Sequence, residues 1–323
     1  MRSVFLHHNF SRLFLGLSVT LFPLSFVHGQ EKDPVDVIKF NTDLVVFDAQ
    51  VIDKKSKRIM GELTKADFEV SDNGVRQDIT YFSRDELPLS VMLLLDVSGS
   101  VRPILHQIRD GALNALARLK PDDHVAVMPF ANTSRLAQDF TTDRKLVSRT
   151  IEEVTAVDTL GHGTILGPAL DSAALHMEKA PAKSGRRVII IVTDNLAWVP
   201  GKESKEILDE LYDKGTVVYG LIVRAGIGKL FNIMFLGQLK AVNEFVENTG
   251  GEVIGADKKE VDAKLADIID RLRARYAIGF RPSTTADDGK FHPVEIKIST
   301  TVKRKEKPMV LTRRGYYLAR RGN

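Results

Sequence analysis

Asp96, Ser98 and Ser100 stand at alternate positions directly after an apolar run, Val91-Met92-Leu93-Leu94-Leu95. One carboxylate and two hydroxyls are hard oxygen donors, suited to Mg²⁺, Mn²⁺ or Ca²⁺ rather than to soft metals. Two of the three are neutral, so a bound cation keeps most of its charge and a carboxylate from another molecule can complete its shell. The apolar run reads as a parallel strand buried on both faces, and open α/β sheets bind ligands at the carboxyl ends of such strands. Asp and Ser beside a glycine are also ordinary turn formers. The pattern therefore draws its meaning from its place at a strand end.

Other chemistry lacks its parts. No serine sits in a G-x-S-x-G elbow, H-E-x-x-H is missing, and no two histidines have metal-ligand spacing. Gly226-Ile227-Gly228-Lys229 carries Leu230 where a phosphate loop needs Ser or Thr, which excludes a nucleotide site of that kind. No general base with a recognisable partner accompanies Asp96. The sequence points to a non-enzymatic protein.

The elements that must hold these residues alternate. Helical periodicity runs over Arg102 to Leu119, Ile165 to Lys179, Ser204 to Lys214, Leu239 to Thr249 and Val261 to Arg275. Strand patterns lie between them, at His124 to Phe130, Arg187 to Thr193, Thr216 to Val223 and Glu252 to Ile254. Such alternation implies a doubly wound α/β domain with a mostly parallel sheet. Arg135 to Phe140 suits an antiparallel edge strand. On either side the chain is β-rich. Val37 to Phe40, Leu44 to Val51, Phe68 to Ser71 and Arg76 to Phe82 precede the α/β part, with Asp72-Asn73-Gly74 as a hairpin turn. Thr64 and Asp67 are spaced to open a helical turn. Tyr276 to Phe280, Val294 to Ile298 and Tyr316 to Leu318 follow it. Neither β segment is large enough for a core of its own. The two are expected to pair into a small β-sandwich-like domain with the α/β domain inserted between them. The expected boundaries are 30–86, 87–275 and 276–323, after a signal peptide at 1–29.

The D-x-S-x-S arrangement at a strand end resembles that of the von Willebrand factor A family, with its metal-ion-dependent adhesion site. The family pattern adds a threonine on a second loop, matched by Thr164 in Gly161-His162-Gly163-Thr164. It also adds an aspartate after a later buried strand, matched by Asp194 after Val188-Ile189-Ile190-Ile191-Val192-Thr193. The resemblance implies that Ser98, Ser100 and Thr164 ligate the metal, with Asp96 and Asp194 direct or through water. His162, Asn195 and Trp198 are candidates for a partner-binding rim. His162 alternatively shapes the turn between its glycines, and Trp198 alternatively packs against the next helix. Over nearly all of its length the chain resembles the VWFA-related exported proteins of Acidobacteria. The matching pieces include Leu63-Thr64, Asp67-Phe68-Glu69-Val70, Tyr276 with Gly279-Phe280, and Arg313-Arg314-Gly315-Tyr316-Tyr317.

Composition narrows the setting. Of 323 residues 43% are hydrophobic, enough for a real core. The formal charge of +4 drops to +2 without the first 29 residues, which carry Arg2 and Arg12 and no acid. That balance does not suggest nucleic-acid binding. The C-terminal basic residues from Lys303 to Arg321 read as solvated strand faces and a guarded sheet edge. Leu13 to Val27 is apolar behind Arg2 and Arg12, short for a membrane span and interrupted by Pro23, and reads as an export signal cleaved after Gly29, with an uncleaved signal anchor as the alternative. There is no cysteine, so neither disulfides nor thiolate metal sites exist. Arg224 to Gln238 concentrates Leu230, Phe231, Ile233, Met234, Phe235 and Leu236, either a short buried helix or an exposed partner patch.

The combined expectation is an exported, periplasmic or extracellular, adhesion-type binding module. A divalent cation, Mg²⁺ with Ca²⁺ or Mn²⁺ as alternatives, would accept an Asp or Glu carboxylate from a protein partner. The alternative is a cell-envelope scaffold in which the metal only stabilises the fold.

Overall fold

The computed structural model describes residues 44–84, 87–156, 160–181, 185–194, 203–224, 239–283, 288–299 and 305–318. The expected signal peptide, the strand at Val37 to Phe40, Asn195, Trp198 and the apolar segment from Leu230 to Leu236 lie outside them.

A six-stranded sheet carries the α/β part. Its strands are β5 (Leu89–Asp96), β6 (His124–Phe130), β7 (Gln138–Thr141), β8 (Arg186–Thr193), β9 (Thr216–Arg224) and β10 (Val253–Asp257), in the order β10-β9-β8-β5-β6-β7. All neighbours are parallel except β6 and β7. β5 is central and every residue in it is buried. Because side chains alternate across a strand, Leu89, Val91, Leu93 and Leu95 enter one apolar layer and Met92 and Leu94 the other.

Helices cover both layers. On the first lie α1 (Leu105–Leu116) and α2 (Arg144–Ala156). The second takes α3 (Leu166–His176), α4 (Glu203–Asp213) and α5 (Leu239–Thr249). A further helix, α6 (Val261–Arg273), joins the first layer through Val261, Leu265, Ile268, Ile269 and Leu272. The sequence reading left α2 out. Its buried residues Val147, Ile151 and Val154 keep helical spacing, but five β-branched residues between 147 and 155 weaken the propensity. The helix starts where the Asp143 Oδ1 accepts the backbone N–H groups of Lys145 and Leu146, both at 3.0 Å.

The flanking β segments form two four-stranded sheets. β1 (Val45–Asp53), β2 (Phe68–Asp72), β3 (Val75–Gln77) and β4 (Ile79–Arg84) come before the α/β part. β11 (Tyr276–Phe280), β12 (Phe291–Ile298), β13 (Pro308–Leu311) and β14 (Gly315–Tyr317) come after it. One sheet is β13-β1-β11-β4 and the other β14-β12-β2-β3. Both segments thus contribute two strands to each sheet, alternating in the first and adjacent in the second, and the two sheets enclose a third core. Phe47 and Phe280 stack there at 6.0 Å, and Phe68 lies 5.2 Å from Tyr276. Asn73 and Gly74 both have positive φ, 50° and 78°, as a two-residue hairpin requires. Thr64 donates from both its N–H and its hydroxyl to the Asp67 carboxylate, at 2.8 and 2.9 Å, and opens the expected turn.

Two expectations need correction. Arg76 to Phe82 is not one strand. The chain breaks at Asp78, so that β3 pairs with β2 while β4 crosses to pair with β11 in the other sheet. Nor is the C-terminal basic cluster wholly solvated. Arg313 is half-buried, its guanidinium lies 4.4 Å from the centre of the Phe47 ring, and it donates to the carbonyls of Val46 and Tyr212.

A buried polar knot ties the sandwich to the α/β sheet. The Asp48 carboxylate on β1 accepts from Arg186 Nε at 2.8 Å and from Arg275 Nε at 2.7 Å. Arg275, wholly buried, also donates to Tyr219 Oη, to Gln50 Oε1 and to the carbonyls of Asp48, Gly250 and Leu311. Nearly every donor of that guanidinium is satisfied, which a buried charge demands.

Candidate metal centre

The carboxyl ends of β5, β6 and β8 lie side by side, with Leu95 paired to Pro129 and to Val192. Asp96, the last residue of β5, is therefore flanked by the ends of both neighbours. It is fully buried, as is Ser98. Its Oδ1 accepts the Ser98 N–H at 2.9 Å and its Oδ2 accepts the Thr193 hydroxyl at 2.6 Å. Ser98 Oγ and Ser100 Oγ stand 3.2 Å apart. Alternation across D-x-S-x-S has thus brought the two hydroxyls together on one side of the turn.

Electrostatics oppose the charge on Asp96. Burial, aided by the neighbouring Asp194 carboxylate, pushes it up to about 6 despite the hydrogen bonds from Ser98 and Thr193. Asp194 itself directly follows β8 and is half-buried. Two carboxylates gathered at one end of the sheet carry an electrostatic cost that a bound cation would offset.

The Thr164 loop is fastened to the same end of the sheet. Gly99 N–H donates to the His162 carbonyl at 3.0 Å, and a Cβ at Gly99 would stand 3.2 Å from that oxygen. Asn132, just beyond β6, holds the loop from the other side. Its backbone N–H donates to the Leu160 carbonyl at 3.0 Å, and its Oδ1 accepts the Gly163 N–H at 2.6 Å. Gly161 has φ +90° and leaves only 2.7 Å between a would-be Cβ and the Asn132 amide, so glycine is required there. Ile165 N–H donates to the Ala131 carbonyl at 2.9 Å, closing the loop directly after the half-buried Thr164.

His162 is exposed on the rim, with Nδ1 3.2 Å from Arg102 Nη2. A guanidinium only donates, so this contact makes Nδ1 the acceptor and leaves the ring proton on Nε2. Asp96, Ser98 and Ser100 are hydrogen-bonded together, and the Thr164 loop is bonded to their turn through His162. Sequence reasoning missed Asn132 and Thr193, which orient the loop and the carboxylate. Thr193 carried a visible signal, being a polar residue at the inward end of an apolar strand.

The donor chemistry fits a hard divalent cation: the turn offers carboxylate and hydroxyl oxygens. Among the described residues no group of three or more His, Cys, Asp or Glu side chains is placed to hold a metal. Any site at Asp96 depends on its hydroxyls.

Residues 91–196 match the family model of the von Willebrand factor type A domain. No curated protein matches the chain. Among solved structures, protein BatB from Bacteroides thetaiotaomicron is 17% identical over 57% of this chain and 98% of its own, with a TM-score of 0.43. A von Willebrand factor type A protein from Catenulispora acidiphila is 10% identical over 84% of this chain and 73% of its own, with a TM-score of 0.47. The von Willebrand factor domain of the type V pili tip protein Mfa5 from Porphyromonas gingivalis is 12% identical over 57% of this chain and 94% of its own, with a TM-score of 0.43. The matched segment begins within β5 and runs past the end of β8, so it contains Asp96, Ser98, Ser100, Thr164 and Asp194; it is a von Willebrand factor type A domain.

Proposed function

We propose that the protein is an exported, non-enzymatic binding module whose type A domain, a general protein-interaction module, takes an acidic group from a partner protein through a divalent cation. The observation that carries this reading is the buried Asp96 beside Asp194, with the Ser98 and Ser100 hydroxyls 3.2 Å apart above it. Asp96, Ser98, Ser100, Thr164 and Asp194 would hold Mg²⁺, Ca²⁺ or Mn²⁺. When bound, the cation supplies charge and an open coordination position for an Asp or Glu side chain.

The chain's own residues do the rest. Thr193 and the Ser98 N–H fix the Asp96 carboxylate so that it meets the cation without rearranging. Asn132 keeps the Thr164 loop closed against the β5 turn. Arg102 and His162 put donors on the rim, where an acidic partner is met by positive potential before it reaches the centre. Export is supported by the apolar, arginine-flanked start of the sequence, and among the described residues no helix is long and apolar enough to cross a membrane. The domain boundaries we assign are 30–86, 87–275 and 276–323.

The test is calorimetric titration of Mg²⁺, Ca²⁺ and Mn²⁺ into EDTA-stripped protein. One saturable site, lost in Asp96→Ala, is the expected result. Absence of binding in the parent protein, or an undiminished site in the variant, would overturn the reading. Asn132→Ala is expected to weaken Mg²⁺ binding by roughly 10–100-fold, as groups that orient a ligand loop usually do. The same titration checks it, and unchanged affinity would remove Asn132 from the site.

A further inference from the structure

The other end of the parallel sheet holds a second site. The first residues of β8 and β9 meet the sandwich around a cavity of about 430 Å³, within the size range of small-molecule pockets. Arg187 and Asp194 are seven residues apart along one strand direction, roughly 20 Å at strand rise, so the cavity is separate from the metal centre.

Among the described residues Arg186, Arg187, Lys214 and Arg313 line the cavity with Asp48 and Asp213. Asp48 is taken by Arg186 at 2.8 Å, and Asp213 by Lys214 at 2.8 Å. Arg187 and Arg313 feel Asp213 at longer range, but among the described residues their hydrogen-bond partners are all backbone carbonyls. Burial lowers the affinity of both for their protons, Arg313 to about 10. Arg313 spends both terminal nitrogens on Tyr212 and Val46 and packs over Phe47.

Arg187 is different. Its Nη1 donates to the Lys214 carbonyl at 3.1 Å, while its Nε is buried with no partner among the described residues. A guanidinium at a cavity wall can hold a carboxylate by charge-assisted hydrogen bonds. Beside it the wall turns apolar, with Val46, Leu87 and Val217.

We propose that this cavity binds a small organic anion, a carboxylate on an apolar body, held by the Arg187 guanidinium with the body against Val46, Leu87 and Val217. The Arg187 guanidinium accounts for the head group and the aliphatic wall for the body. A bare inorganic anion would satisfy only the first.

The test uses the full chain and octanoate, titrated calorimetrically beside inorganic phosphate. The expected result is one saturable octanoate site, weakened at least tenfold in Arg187→Met, partly retained in Arg187→Lys, and indifferent to EDTA and to Asp96→Asn. Leu87→Trp, which fills the cavity from its half-buried wall, is expected to abolish binding and serves where Arg187→Met fails to fold. No saturable octanoate site would overturn the proposal, as would equal affinity in both variants. Phosphate held as tightly as octanoate would overturn it too, since the apolar wall would then contribute nothing.

Discussion

Asp48→Ala is expected to destabilise the protein by about 3–5 kcal/mol, the range for removing one partner of a buried ion pair. The loss leaves Arg186 and Arg275, 2% and 0% exposed, without their shared counter-charge. At about 2–4 °C per kcal/mol for a domain of this size, the melting temperature should fall on the order of 10 °C. Thermal unfolding followed by circular dichroism reads this directly. The contrast is Asp110→Ala, which breaks the exposed Arg109–Asp110 pair at 2.8 Å and is expected to change stability by less than about 1 kcal/mol. Equal effects from the two substitutions would show that the knot does not hold the sandwich to the α/β sheet.

Asp96→Asn is expected to have opposite effects with and without the metal. In EDTA at pH 7.5 the parent carries a buried carboxylate whose proton affinity is raised to about 6 from the ordinary 3.8. That gap corresponds to about 3 kcal/mol of cost to the folded state once the group is ionised. Asparagine keeps the shape and removes the charge, so the metal-free variant should be more stable than the parent. With Mg²⁺ at a hundred times its dissociation constant, the parent gains about 2.7 kcal/mol by mass action while the variant gains nothing. The order of melting temperatures then levels or reverses. Calorimetric scans in EDTA and in Mg²⁺ decide it, and the same difference between the two proteins in both buffers would sink the metal centre.

The pH dependence of the metal-free parent follows the same sign. Between about 4 and about 6 the folded state holds a proton on Asp96 that the unfolded state has released. Stability attributable to Asp96 is therefore present below pH 4, falls as pH rises through that window and levels off above it. Lowered carboxyls such as Asp139, beside His176, and the exposed Asp53 at about 2 act in the opposite direction at lower pH. Comparing parent and Asp96→Asn cancels those contributions, because both proteins share them. Cation binding should strengthen over the same window, since protons compete for the ligand.

Much of the α/β architecture was legible because its signals are local. A strand buried on both faces must be apolar throughout, so Val91 to Leu95 and Val188 to Val192 announce themselves and the central place of β5 follows. β6 and β11 were legible to the residue, since turn formers and charges bound them on both sides. α2 was not, because its β-branched residues contradict the helix that Val147, Ile151 and Val154 require once they meet the sheet. The break at Asp78 was equally hidden. Nothing in Arg76 to Phe82 says that β3 and β4 will pair in different sheets, since that depends on where β2 and β11 lie.

The sequence by itself determined which atoms gather at the end of β5. Side-chain alternation puts Asp96, Ser98 and Ser100 on a common side of a tight turn, whatever surrounds them. Tertiary structure decided how they are held. Asn132 reaches Gly163 and Leu160, and Thr193 reaches Asp96, only because β6 and β8 flank β5 in the sheet. Asp48 meets Arg275 across 227 residues of sequence, and Arg187 lines a cavity that also draws on β1 and β9. Strand ends and donor types are properties of short segments. The burial that raises the proton affinity of Asp96 and lowers that of Arg187 belongs to the whole packed molecule, because desolvation is set by every neighbour at once.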